Sequence, residues 1–167
     1  MNLKSTFFGF FVSLGFTFSL QAQEKTHIGA MLTYGTEIEN IGMGINAEFP
    51  IMENLTISPS LIYYLPKDEY GIKINWFEVN ANGNYYFINQ ENLDVYALGG
   101  LNYSSVKVSF DDPWLGSHSA SDGRIGLNLG SGVNFNIGRS IVPFAELKYV
   151  IIEGGQLVAG AGVKFKL

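Results

Sequence analysis

The sequence predicts an all-β fold, an eight-stranded antiparallel up-and-down β-barrel, on three observations. Apolar and polar residues alternate along most of the chain, which is the pattern of strands with two different faces. The alternating segments are separated by short links rich in turn residues, as in a meander of antiparallel strands. The segments are even in number, so the first and last can pair antiparallel and remove both edges of the sheet.

In each of the first four predicted strands, alternate residues are mostly apolar, and these residues share one face of the strand. We call the two sets of alternate residues the apolar parity and the polar parity. In HIGAMLTYG, for example, alternate residues from Ile28 to Tyr34 are apolar. The third strand contains Pro59, which cannot donate a ladder hydrogen bond and is expected to weaken the strand or mark a bulge. The fourth is the clearest, because its large apolar residues alternate with Glu78 and a run of asparagines. These strands are predicted at 27–35, 41–49, 55–65 and 72–88.

The last four predicted strands repeat the pattern. The fifth sets Val95 and Ala97 against polar neighbours, and the sixth sets aliphatic residues against glycines and asparagines. The seventh sets Leu147 and Tyr149 against charged residues, and the eighth alternates to its last residue. The link at 111–123, DDPWLGSHSASDG, is the longest and is predicted to be a loop, as is PKDEYG at 66–71. These strands are predicted at 93–110, 124–137, 141–151 and 156–167.

The volume of the side chains decides which parity faces outward. An eight-stranded barrel has an interior just wide enough to be filled by side chains. The apolar parity carries several large residues per strand, whereas the other carries mostly Gly, Ser and Asn. We therefore predict that the apolar parity faces lipid and that each strand crosses a membrane, which takes about 9–11 residues when the strand is tilted. Tyr and Phe near the strand ends are expected to form two interfacial girdles.

The N-terminal region has the layout of a secretory signal peptide. Lys4 provides a short positive region, an apolar run follows at 6–20, and Ala22 stands where a peptidase could cut. The run is shorter than the ~20 residues of a helical span. We predict a signal peptide at 1–22 and a barrel domain at 23–167.

The composition argues against a soluble domain and a nucleic-acid partner, and it excludes cysteine chemistry. Only 15% of the residues are charged, against ~25% in soluble domains. The net charge of −5 and the absence of a basic cluster argue against a nucleic-acid partner. The chain contains no cysteine, which excludes disulfides, thiolate metal sites and a lipid anchor on cysteine.

The short meander, the PFAELKY segment and the ending QLVAGAGVKFKL resemble the porin-like outer-membrane β-barrel domain family, the small eight-stranded group that includes OmpX- and OmpW-like proteins. The resemblance covers essentially the whole mature chain. It implies the outer membrane of a Gram-negative cell, with both termini and the tight turns in the periplasm and the loops outside. It also implies outer-membrane lipid and the barrel-assembly machinery as partners, the latter recognising a last strand that carries Phe165 and Leu167.

Charged residues of the polar parity define the candidate functional site. An unpaired buried charge is strongly penalised, so we predict a network of salt bridges and hydrogen bonds across the lumen. The favoured role is a plug that holds the barrel shut, and the alternative is an ion or proton path. The predicted network comprises Glu48, Glu78, Glu146, Lys148 and Lys164 with Asn46, Asn80, Asn82 and Asn128.

The long link provides a second set of candidates, for a surface site: Asp111, Asp112, Trp114 and His118. The serines beside His118 could suggest a surface hydrolase, but a nucleophile needs an oriented base and one loop does not fix that geometry. The acidic residues match no EF-hand loop. We predict no catalytic residue, no metal site and no cofactor, and a non-enzymatic role that is structural, surface-interacting or limited to a narrow pore.

One alternative from a different class is a secreted soluble barrel of the lipocalin type that carries an apolar ligand. It would require the apolar parity to point inward and the glutamates to face water. The lipocalin Gly-x-Trp signature is missing from the first strand.

Overall fold

The structure, a computed structural model, describes residues 26–69, 72–112, 116–138 and 140–167, and their side chains outside 67–73 and 109–119. The predicted signal peptide lies outside the described residues. Eight strands are present: β1 (His27–Gly35), β2 (Asn40–Met52), β3 (Leu55–Glu69), β4 (Ile72–Asn89), β5 (Leu93–Asp112), β6 (Gly116–Phe135), β7 (Ile141–Ile151) and β8 (Gln156–Lys166). The described residues contain no helix long and apolar enough to cross a membrane.

The strands form a closed antiparallel barrel. Each pairs with its neighbours in chain order, and β8 pairs with β1. The closing register runs from His27 opposite Lys166 to Gly35 opposite Val158. All eight strands were predicted, although β3 and β6 extend well beyond their predicted ranges, and the predicted fold class is confirmed.

Most of the link predicted as a loop at 111–123 lies instead in strands, at 111–112 and 116–123. Strand β5 reaches Asp112, β6 begins at Gly116, and Phe110 lies opposite His118. Gly, Pro and Asp are depleted in strands, so this stretch reads as a loop in sequence. Pairing with the long β5 provides the ladder that holds it extended. The placement of Asp111, Asp112 and His118 in a loop is therefore wrong, because all three lie in strands.

The link predicted as a loop at 66–71 is also shorter than expected. Strand β3 continues to Glu69 and β4 begins at Ile72. By contrast, β6 pairs with β7 only up to Leu127 opposite Ile151. The distal parts of β3 to β6 therefore form a four-stranded sheet that continues beyond the rest of the barrel. We call it the extended sheet; it lies at the end opposite the chain termini.

Pro59 lies inside β3 without a bulge. It is opposite Ala81 of β4. On the β2 side the pairs Asn46–Ser60 and Phe49–Ile57 keep one register, with no ladder pair between them. Because Pro59 has no N–H, the ladder is interrupted there but the register does not shift.

The apolar parity faces outward, as predicted. Leu32, Ile45 and Leu147 are 61%, 60% and 52% exposed, whereas Glu48 and Glu78, of the other parity, are 2% and 0% exposed. This orientation is the opposite of what a lipocalin-type carrier requires. Exposed aromatic residues lie at two levels on the outer surface: Tyr34, Tyr63, Tyr103 and Tyr149 toward the extended sheet, and Phe49, Tyr85, Phe87, Phe135 and Phe165 toward the termini.

The lumen is filled by large side chains that lie against glycine. A Cβ on Gly132 would collide with the ring of Tyr96, and one on Gly42 would approach Tyr64. Both tyrosines are fully buried. The inward glycines therefore make the space in which the large residues pack.

The outward orientation can be tested with Leu147→Arg. A basic residue near the middle of a hydrocarbon-facing strand should cost about 2–4 kcal/mol of unfolding free energy. The measurement is urea unfolding of barrels folded into lipid vesicles, with Leu147→Ile as the control. Equal stability of the two variants would contradict an apolar surface in contact with lipid.

Candidate functional site

The first part of the candidate site is a buried ion pair near the termini end of the lumen. Lys164 Nζ lies 2.7 Å from Glu48 Oε2, and both side chains are 2% exposed. The other carboxylate oxygen, Oε1, accepts a hydrogen bond from Thr56 Oγ1 at 2.6 Å and another from the hydroxyl of Tyr86. Charge-assisted hydrogen bonds of this kind are stronger than neutral ones, so the carboxylate is held on both oxygens.

The ammonium group of Lys164 is also covered by aromatic rings. It donates to Asn134 Oδ1 at 3.2 Å. The Nζ atom lies 4.7 Å from the centroid of Phe144 and 5.2 Å from that of Tyr96, within reach of cation–π attraction. These contacts replace the water that the charge loses on burial.

A second buried ion pair lies nearer the extended sheet. Lys148 Nζ is 3.5 Å from Glu78 Oε2, with side-chain exposures of 3% and 0%. Glu78 Oε1 accepts a hydrogen bond from Gln156 Nε2 at 2.9 Å. Lys148 donates a shorter bond, 2.9 Å, to Asn80 Oδ1. Lys148 therefore joins the second carboxylate to the asparagines of β4.

Asn80 is the centre of an amide cluster. In addition to Lys148, its Oδ1 accepts from Asn102 Nδ2 and Asn128 Nδ2, both at 2.9 Å. Asn128 Nδ2 also donates to Asn82 Oδ1 at 2.7 Å. Side chains of β4, β5, β6 and β7 thus meet at one acceptor, which ties four strands together across the lumen.

Two predicted members of the network stand apart from both clusters. Glu146 is half-buried and accepts a hydrogen bond from the hydroxyl of Tyr96 at 3.0 Å. Among the described residues, it forms no ion pair with either lumen lysine. Asn46 Oδ1 is buried and has no hydrogen-bond partner among the described residues.

Several residues that complete the network were not predicted. They share the lumen parity of their strands, which is the signal that could have found them. The prediction selected the charged residues and some asparagines of this parity. It omitted two phenols, one hydroxyl and three amides: Tyr86, Tyr96, Thr56, Asn102, Asn134 and Gln156.

The lumen is also closed toward the extended sheet. The turn between β1 and β2 directs Ile38 inward, where only 8% of it is exposed. It belongs to an apolar cluster with Met31, Ile62, Tyr64 and Phe144. Ile62 lies opposite Glu78 in the ladder, so this cluster lies beside the ion pair of Glu78 and Lys148, which we call the upper ion pair.

At the termini end, a cavity of about 460 Å³ opens into the lumen. Its lining includes His27, Asp94, Asn134 and Lys166, and its floor includes Glu48. The cavity is polar and of mixed charge. It ends where the ion pair between Glu48 and Lys164 begins.

The surface site predicted from Asp111, Asp112, Trp114 and His118 stays a prediction. Asp111, Asp112 and His118 lie in β5 and β6, but their side chains are outside the described set, and Trp114 lies outside the described residues. Among the described residues there is no group of three His, Asp or Glu side chains that could hold a metal ion.

The fold and the apolar outer surface define a transmembrane β-barrel. The model of the outer membrane protein beta-barrel domain family matches residues 2–165, and the chain belongs to this family. It is therefore a small integral protein of the outer membrane, as the resemblance implied. No curated protein matches the sequence.

Solved structures share the fold at low sequence identity. The N-terminal β-barrel domain of Pseudomonas aeruginosa OprF has a TM-score of 0.68 at 17% identity, over 88% of this chain and 100% of that chain. Neisserial surface protein A (NspA) has a TM-score of 0.65 at 18% identity, over 85% and 96%. The outer membrane enzyme PagL has a TM-score of 0.51 at 10% identity, over 84% and 98%.

The energetic role of the upper ion pair can be tested with Lys148→Met. Removing one partner leaves Glu78 with an uncompensated buried charge, which should cost about 3–5 kcal/mol of unfolding free energy. The double variant Glu78→Gln with Lys148→Met should recover part of that loss, because no buried charge remains. Urea unfolding in vesicles measures both values.

A matched control for this experiment is Lys107→Met, since Lys107 is exposed in the extended sheet. It should change the unfolding free energy by less than about 0.5 kcal/mol. If Lys148→Met were no more destabilising than Lys107→Met, the ion pair would have no structural role.

Proposed function

We propose that this protein is a non-enzymatic outer-membrane barrel whose lumen is closed by its own side chains and which presents the extended sheet outside the cell. The main observation in favour of a closed lumen is that two ion pairs are buried at different heights in it. The four charged side chains are each at most 3% exposed. A conducting path needs charges that water and ions can reach.

The contacts of the network support a structural role over an ion path. An ion that passed Glu48 would have to displace Lys164 together with the hydroxyl donors of Thr56 and Tyr86. An ion that passed Glu78 would then meet the apolar cluster around Ile38. Each step would expose a buried charge without a partner, which costs several kcal/mol.

The contacts of two described serines support a non-enzymatic role. Ser104 donates to Asn102 Oδ1 at 2.8 Å and Ser131 to the backbone carbonyl of Tyr96 at 2.8 Å. Neither hydrogen bond couples the serine to a histidine, the usual base for an activated serine. The likeness to PagL is one of fold alone and brings no catalytic group to this chain.

The extended sheet supports a surface role. It is built from the four longest strands, of 15, 18, 20 and 20 residues, while about 9–11 residues are enough to cross the membrane. The excess length is continuous with the barrel wall, so it forms one paired sheet and not a set of separate loops. Such a sheet can present side chains at a fixed distance from the membrane.

The closed lumen predicts that the protein carries no current. In planar bilayers, the parent protein, Glu78→Ala and Lys148→Ala should all remain silent under conditions in which a known porin conducts. A reproducible single-channel current from the parent protein that Glu78→Ala alters would show that the lumen is an ion path.

The proposed orientation can be tested by labelling, because the natural sequence contains no cysteine. Ser121→Cys in the extended sheet should react with a membrane-impermeant maleimide on intact cells. Gln90→Cys, in the turn between β4 and β5 at the termini end, should react only after the cells are broken. The reverse pattern would invert the proposed orientation.

A further inference from the structure

The outer wall of the barrel contains a groove where β1, β2 and β3 lie side by side. The groove has a volume of about 490 Å³. Its floor is formed by Ala47 and Pro59, together with backbone, and Ala30 lies at its side. Its rim is formed by large apolar residues: Ile28, Ile45, Leu61, Val79 and Phe165.

The difference in side-chain size along neighbouring strands creates the groove. Ala30 lies opposite Ile45, and Ile28 lies opposite Ala47, so a small and a large residue meet across the pair. Ala47 and Pro59 are half-buried although they share the outward parity, whereas Ile45 is 60% exposed. Ala47 and Pro59 are therefore recessed below the surface that surrounds them, while Ala30 is exposed at the side of the groove.

We propose that this groove binds one acyl chain of a phospholipid from the leaflet at the termini end of the barrel. The groove is continuous with the lipid-facing surface, and its rim is entirely apolar. It begins beside Ile28 and Phe165, which are each one residue from the termini end of their strands. An acyl chain that fills the groove is surrounded by apolar side chains on several sides, so it makes more dispersion contacts than a chain on a flat part of the wall.

A second copy of the chain fits the groove less well. A twofold dimer places the same patch of both subunits against itself, so two concave surfaces would face each other and leave a void. A polar ligand is also disfavoured, because Asn46, Ser60 and Asn80 at the groove have the lumen parity of their strands. A flexible hydrocarbon chain can follow the concave surface.

The test is lipid retention by the detergent-solubilised full barrel, measured by native mass spectrometry with added palmitoyl-oleoyl phosphatidylethanolamine. The parent protein should carry one bound lipid. Ala47→Leu fills the floor of the groove and should weaken retention about tenfold, since roughly two methylene contacts are lost. Ala97→Leu makes the same change on the exposed outer face of β5, away from the groove, and should retain lipid as the parent does.

Heat-modifiable gel mobility reports whether each variant is folded, and Ala30→Leu serves in place of Ala47→Leu if that variant fails to fold. A parent protein without bound lipid, or equal loss of lipid in the groove variant and Ala97→Leu, would overturn the proposal. So would a parent dimer that Ala47→Leu converts to monomer, because the occupant would then be a second copy.

Discussion

The rest of this structure depends on the pairing of β8 with β1. Hydrocarbon offers no hydrogen-bond partner to a free strand edge, so a sheet that crosses a membrane has to close on itself. Nine consecutive residue pairs, from His27–Lys166 to Gly35–Val158, make that closure. Once the cylinder is closed with eight strands, its narrow lumen limits which side chains can point inward. Most of the large apolar residues then point outward, while a few, such as Ile62, Tyr64 and Phe144, pack in the lumen as one apolar cluster. Membrane insertion follows from the same geometry.

The lumen solves a second problem, which is how to fill a narrow polar interior that contains charges. Glutamates and lysines lose hydration there, and their mutual attraction compensates only when the remaining lone pairs and protons are bonded. Around Glu48 and Lys164 this is achieved by hydroxyls, an amide and two aromatic rings. Around Glu78 and Lys148 it is achieved by Gln156 and the asparagine cluster. Such a network joins strands that are distant in sequence and specifies one packing of the lumen.

The inner and outer surfaces follow the same rule of complementary size. Inside, glycines on one strand receive tyrosines from another, as at Gly132 and Tyr96. Outside, Ala47 and Pro59 leave a recess among larger neighbours. The inner recess is filled by the protein itself, and the outer one is left to the surrounding lipid. The extended sheet adds a third surface, in which strand pairing continues beyond the membrane.

The sequence alone determined the number, order and closure of the strands, because the side-chain period of two can be read locally along the chain. It also determined the outward face, because the lumen volume is the same constraint for any eight-stranded barrel. The same parity placed Glu48, Glu78, Lys148 and Lys164 inside. Parity could not say which partners they would have: Glu146 has the same pattern, yet in the described structure it contacts Tyr96 and not a lysine. The stretch at 116–123 likewise has weak strand propensity, and its pairing with β5 makes it extended. Tertiary structure decided these features because the heights and tilts of neighbouring strands determine which side chains meet.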